Sequence, residues 1–140
     1  MDLIKWNDAK MSIGIKLIDD EHKQLLDIIN DLGTSIHKNA QKDDILIIVD
    51  RLIDYAKYHF SREEEYFDKF NYEDTVEHKK QHDIFIEKFE KIKHDLNEEK
   101  KICSIIVSED VFLYLVEWLL YHIVGSDKKY VDLFKRNGLM

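Results

Sequence analysis

Apolar residues recur along this chain at the three-and-four spacing of an amphipathic helix, in four separate runs. The first run, His22, Leu25, Leu26, Ile29, Leu32 and Ile36, falls on one face when wound at about 3.6 residues per turn. Asp19 or Asp20 is placed to cap it, which leaves residues 1–18 as an N-terminal arm. The second run starts near Lys42 to Asp44 and stacks Ile45, Ile48, Leu52, Tyr55, His59 and Glu63. It continues to about Phe70, where Asn71 and Tyr72 turn the chain. A third, from about Glu73, aligns His78, His82, Phe85, Phe89 and Ile92, then fades in the charged stretch Asn97 to Lys101. The fourth opens at Ser108, with Glu109 and Asp110 suited to the positive end of a helix dipole. It lines up Val111, Leu115, Trp118, Leu119 and His122, and Asn137 with Gly138 ends it.

These runs predict helices over about 19–38, 42–70, 73–96 and 108–136. The segment Glu98 to Val107 could be a helical extension or a packed loop. Four amphipathic helices on short connectors indicate an all-α protein, an up-down-up-down antiparallel four-helix bundle with an N-terminal arm, in one domain covering 1–140. The absence of proline and the presence of only four glycines agree with long helices rather than short strands and tight turns.

Charge and cysteine usage narrow the partners. The 21 basic and 29 acidic residues give a formal charge of -8, which argues against a nucleic-acid partner and disfavours self-association through an acidic face. A monomer is expected. The apolar stretch Val111 to Val124 contains Glu117 and His122 and is too short and too polar to span a bilayer. Met1 to Lys10 lacks the apolar run of a secretory signal. Cys103 stands alone, has no internal disulfide partner, and fits a reducing cytoplasm.

The chemistry lies inside the apolar stripes. His22, His59, His78, His82 and His122 each lie in phase with a predicted core face, as does Glu63, and Asp127 joins them. Burying such groups without partners would cost several kcal/mol each, roughly, so a metal centre is the economical explanation. His59 with Glu63, and His78 with His82, sit four apart, the spacing at which two side chains on one helix reach one ion. Asp127 follows His122 by five residues and points roughly 140° away on an ideal helix. The two can share a centre only if the backbone unwinds, as in a π-type bulge around Gly125.

Five imidazoles and two carboxylates exceed the capacity of one ion and suit two. Nitrogen and oxygen donors without thiolate suit iron, and are also compatible with manganese, copper or zinc. If both carboxylates and one solvent-derived oxygen bridge the pair, the imidazoles divide three and two. One ion is then six-coordinate and closed; the other keeps a vacancy for a small ligand. His37 and His94 fall near predicted helix ends and are assigned to the surface. Glu64 and Glu65 are read as a solvated face, and Trp6 as packing against the bundle.

Four segments carry a resemblance: 18–25 (Ile18-Asp19-Asp20-Glu21-His22-Lys23-Gln24-Leu25), 59–64 (His59-Phe60-Ser61-Arg62-Glu63-Glu64), 78–82 (His78-Lys79-Lys80-Gln81-His82) and 122–127 (His122-Ile123-Val124-Gly125-Ser126-Asp127). In these the chain resembles the haemerythrin family in its bacterial form. The resemblance implies one iron on His78, His82 and His122, a second on His22 and His59, and Glu63 and Asp127 bridging beside an oxo or hydroxo group. It implies dioxygen bound reversibly at the vacancy, a carrier, store or sensor and not an enzyme, with Phe60, Trp118 and Val124 lining an apolar pocket. A redox or oxygen-accepting protein partner is left open. Di-iron oxidase, peroxidase or nitric-oxide chemistry is the runner-up, and an iron-storage module the third reading. The chain departs from relatives at Glu21, often Gln, at Phe67, often Met, and at Tyr72-Glu73, often Tyr-Pro.

Overall fold

The computed structural model describes residues 4–38, 40–98 and 109–139. Its elements are α1 (Asp8–Met11), α2 (Lys16–His37), α3 (Lys42–Phe70), α4 (Thr75–Asn97) and α5 (Glu109–Tyr121). A π-helical turn (His122–Ser126), a 3₁₀ turn (Asp127–Tyr130) and α6 (Val131–Arg136) complete the chain. Helix α3 packs against both α2 and α4, and α5 packs on α2, which closes an antiparallel four-helix bundle. Among the described residues no helix is long and apolar enough to cross a membrane.

Helix α2 begins earlier than the aspartates suggested. Ile15 occupies its N-cap position without a side-chain cap. Asp19 instead binds backward to the preceding loop: Ser12 Oγ donates to its Oδ2 at 2.5 Å and the Ile13 amide to its Oδ1 at 2.9 Å. An acid in the first turn has two uses, and here the loop's orphan donors outcompeted the helix's own. The arm is therefore structured: Ile13 and Ile15 are buried, and Asn30 on α2 exchanges two hydrogen bonds with the Ile4 backbone, at 3.0 and 2.7 Å. Trp6 packs part-buried against the core.

Helix α3 stops where expected, because Asn71 takes up the left-handed conformation at φ 56° and returns its amide to Phe67. Helix α4 starts at Thr75, two residues after Glu73, since the Thr75 amide and hydroxyl both bond the Tyr72 carbonyl. At the C-terminus Gly138, at φ 88°, lets the Leu139 amide bond back to Phe134. The connector with Cys103, the proposed start at Ser108 and the Val111 side chain lie outside the described residues.

The stripes reach the core as patterned. Leu25, Ile29, Leu32, Leu52, Phe85, Phe89 and Leu115 are almost wholly buried. On α3 the inward face is slightly rotated: Val49, Ile53 and Ala56 are buried, while Ile48 and Tyr55 are only half-buried. Phe89 is fully buried, so Phe89→Ala is expected to destabilise the fold by about 3–5 kcal/mol. Ile84→Ala, on the exposed side of the same helix, should change stability by no more than about 0.5 kcal/mol. Denaturant midpoints of the two variants check the pair.

Candidate metal centre

Helices α2, α3 and α4 and the segment that follows α5 contribute to one buried cluster. His22 comes from α2, His59 and Glu63 from α3, His78 and His82 from α4, and His122 and Asp127 from the segment that follows α5. All seven are at most 3% exposed. On α3 and α4 the four-residue spacing stacks each pair one turn apart on the core face. His122 and Asp127 meet differently. The π-helical turn runs His122–Ser126, and the Asp127 amide bonds to the His122 carbonyl five residues back. That wider turn brings a five-residue spacing onto one face, as the sequence required.

The side-chain atoms converge on two neighbouring points. His78 Nε2 and His82 Nε2 lie 3.1 and 3.2 Å from His122 Nε2. Asp127 Oδ1 is 3.0 Å from the Nε2 atoms of both His78 and His122, and its Oδ2 is 2.9 Å from His22 Nε2. Glu63 Oε1 lies 3.3 Å from His59 Nε2 and 3.3 Å from His82 Nε2. Each carboxylate thus reaches from the three-histidine group to the two-histidine group. Two sets could each hold an ion, Glu63 with His78, His82 and His122, and His22 and His59 with Glu63 and Asp127.

Their chemistry fits cations. Both ring nitrogens of His22, His59 Nε2, Glu63 Oε1 and both Asp127 oxygens are buried without a hydrogen-bond partner. Several of these atoms nevertheless lie about 3 Å from one another. Lone pairs aimed at lone pairs at that range are unfavourable unless a positive centre lies between them.

Three of the outer ring nitrogens are held from outside. His59 Nδ1 donates to Glu21 Oε1 at 2.8 Å, His82 Nδ1 to Glu64 Oε2 at 2.8 Å, and His122 Nδ1 to Gln81 Oε1 at 2.9 Å. Such bonds fix the tautomer that leaves Nε2 free to ligate. Ser126 Oγ also donates to Gln81 Oε1, at 2.8 Å, and the Tyr130 hydroxyl donates to Glu63 Oε2 at 2.5 Å. The solvated-face reading of Glu64 is corrected accordingly: it is only half-exposed and binds His82. A signal for these partners existed in the sequence. Glu21, Glu64, Gln81 and Ser126 each adjoin a cluster residue, and a helical neighbour is turned by about 100°. For Glu21, Glu64 and Gln81 that turn aims the side chain at a histidine of the next element.

Aromatic rings cover the imidazoles. Phe60 stacks on His82 with centroids 3.8 Å apart and planes 5° apart, and Trp118 stacks on His122 at 4.5 Å and 11°. Phe60 and Trp118 are 5.8 Å apart, Phe85 backs Trp118 at 4.5 Å, and Phe67 meets His78 edge-on at 4.8 Å. Val124 is placed elsewhere. It is 40% exposed and lines an outer depression with Leu120, Tyr121 and Lys128. With His122 and Asp127 both turned inward, the middle of the π turn has to face out. His37 and His94 are exposed, as expected.

The field inside the cluster is strong. Burial works against charge on Glu63, and Asp127 repels it, yet His59 and His82 hold its carboxyl down at about 2. Asp127 is likewise held well below the usual carboxylate range by His122, His22 and His78, against its burial. Burial disfavours the charged form of His82, but Glu63 and Glu64 outweigh it and raise the imidazole to about 9. His59 is raised in the same manner by Glu63 and Glu21, whereas burial prevails at His122 and lowers it. Tyr130 is pushed well above its ordinary value by burial and by Asp127 and Glu63.

A buried nest of imidazole and carboxylate at the centre of four helices defines a metal-binding bundle. The chain belongs to the haemerythrin family: residues 13–134 match the Hemerythrin HHE cation binding domain. It is 35% identical over 134 residues to a bacteriohemerythrin of Clostridium acetobutylicum, covering 91% of this chain and 98% of that one. Similarity to a bacteriohemerythrin of Methylococcus capsulatus is 31% over 130 residues, with 93% and 95% covered. The crystal structure of a wild-type hemerythrin superposes with a TM-score of 0.85 at 27% identity, covering 94% of this chain and 98% of that one.

In the metal-free protein, the raised His82 adds stability that is fully present below about 6.5 and is lost as pH rises through about 9. Denaturation in the presence of a chelator should therefore show a falling midpoint across that window. A flat profile contradicts the assignment. The metal-loaded protein should show no such fall, because bound imidazoles are already deprotonated.

Proposed function

We propose that this chain is a non-haem di-iron protein that binds dioxygen reversibly, acting as a carrier, store or sensor and not as an enzyme. The observation that carries the reading is the division of the cluster. Three imidazoles, His78, His82 and His122, meet at their Nε2 atoms, and two, His22 and His59, meet edge-on with ring centroids 4.8 Å apart. Glu63 and Asp127 span both groups. With nitrogen allotted unevenly, the two-histidine side would be the one with room for a small ligand. Iron held there would lend electrons to dioxygen on binding and take them back on its release.

The protein's own part is to orient and to exclude water. Glu21, Glu64 and Gln81 lock the rings of His59, His82 and His122, so each Nε2 lone pair is presented without rearrangement. Tyr130 holds one oxygen of Glu63 by a donated hydrogen bond and thereby fixes the rotation of the carboxylate that would bridge the two ions. Phe60 and Trp118 lie flat on ligand imidazoles and close off their faces. That cover would keep water from iron held by these imidazoles and so slow its irreversible oxidation. Support for binding over turnover comes from the same residues. Each titratable group of the cluster either faces the proposed ions or orients a group that does, so none is left over to serve as a mobile acid or base.

The test is the absorption spectrum of the anaerobically reduced protein before and after air, with iron quantified. Two ions per chain and an oxygenated band that disappears under vacuum are expected. Steady oxygen consumption with a reductant would instead identify an oxidase, and loading beyond two ions a store. His82→Ala should abolish the paired centre, while His94→Ala should leave iron content unchanged; equal losses would contradict the ligand set. Trp118→Ala opens the aromatic cover and should speed autoxidation several-fold, measured as decay of the oxygenated band in air.

A further inference from the structure

The outer carboxylate on His59 is not isolated. Glu21 is 6% exposed, and its Oε1 accepts from His59 Nδ1. Its second oxygen lies 3.1 Å from Arg62 Nε, an ion pair without the alignment of a hydrogen bond. The Arg62 side chain is 30% exposed and donates from its other end to the Tyr58 hydroxyl at 2.8 Å. Tyr55 holds the same stretch of backbone by donating to the Glu21 carbonyl at 2.8 Å. A line of charge therefore runs from solvent at Arg62, through buried Glu21, to one histidine of the two-histidine group. On the three-histidine side His122 leans on the neutral amide of Gln81. His82 leans on Glu64, for which no arginine contact corresponds to that of Arg62 among the described residues.

A carboxylate accepting from Nδ1–H draws that proton away and makes Nε2 a stronger donor. Stronger donation favours the higher-charged state of whatever ion it reaches. An arginine on the far oxygen of the carboxylate opposes that effect by holding the negative charge back. We infer that Glu21 and Arg62 are a paired positioning device that sets the donor strength of His59, with Glu21 lowering and Arg62 raising the reduction potential of the ion on the two-histidine side. This rests on the reading above, in which that side holds the iron that binds dioxygen. Its consequence is a handle on oxygen affinity and on autoxidation that reaches the surface at Arg62.

The experiment is an anaerobic redox titration of the full-length iron-loaded chain, with the rate of iron extraction by a chelator as a second readout. Glu21→Gln should shift the ferric-to-ferrous balance about tenfold toward ferrous, about 59 mV upward for one electron, and should speed extraction. Arg62→Gln should move the potential the opposite way, and Arg62→Lys, which retains the charge, should return most of that change. In the double variant the potential should match Glu21→Gln alone, because Arg62 acts through Glu21. Shifts of both single variants in one direction, as loosened packing would give, overturn the inference, as do strictly additive effects or none. Should Glu21→Gln fail to fold, the opposed responses of Arg62→Gln and Arg62→Lys still decide. An expected potential pattern in a protein that never forms a reversible oxygenated species would remove the dioxygen reading and leave the relay standing. A wild-type chain that takes up no iron would overturn both.

Discussion

Two carboxylates with no solvent exposure, Glu63 and Asp127, set the terms for this protein. Each would prefer water by several kcal/mol, roughly, and they lie close enough to repel each other. Five imidazoles with converging nitrogens hold both carboxyls ionised, yet Glu63 Oε1 and both Asp127 oxygens still lack hydrogen-bond partners. Positive ions would satisfy those atoms. The bundle can thus be understood as a scaffold that gathers donors for cations where the four helices meet, so that cation binding adds to its stability.

Around that requirement the fold is organised in shells with distinct chemistry. Residues adjoining the ligands in sequence serve as brackets for ligands on neighbouring elements: Glu21 for His59, Glu64 for His82 and Gln81 for His122. Beyond them lies an aromatic layer, with Phe60 and Trp118 against imidazoles and Phe67, Tyr130 and Phe134 filling the other end. The brackets fix direction and the aromatics remove water. Neither shell could substitute for the other, since a dry but unoriented imidazole ligates poorly and an oriented but wet one exposes the metal to solvent.

Much of this was legible from residue spacing. The stripe His78, His82, Phe85, Phe89 and Ile92 is buried throughout, and α3 covers residues 42–70 as patterned. The five-residue step from His122 to Asp127 forced a local unwinding, and the π turn supplies it. Other readings failed for identifiable reasons. Asp19 caps a loop instead of the helix, because a short acid in an N-terminal turn can satisfy either set of amides and only the path of the arm chooses. Glu64 looked like part of a solvated run because charge periodicity says nothing about a ligand on the adjacent helix. Val124 was expected in the pocket and faces outward, since a widened turn redirects the residues between its two inward ends.

The sequence by itself determined the class of fold and which imidazoles and carboxylates are candidate donors, because periodicity and side-chain chemistry are local properties. It also determined that the donors were too many for one ion. Only the tertiary structure decided how they divide, which carboxylate reaches which histidine, and which neighbours hold each ring. Those outcomes depend on distances between elements separated by tens of residues, set by packing at Phe60, Phe67, Trp118 and Tyr130, and no single-helix pattern contains that information.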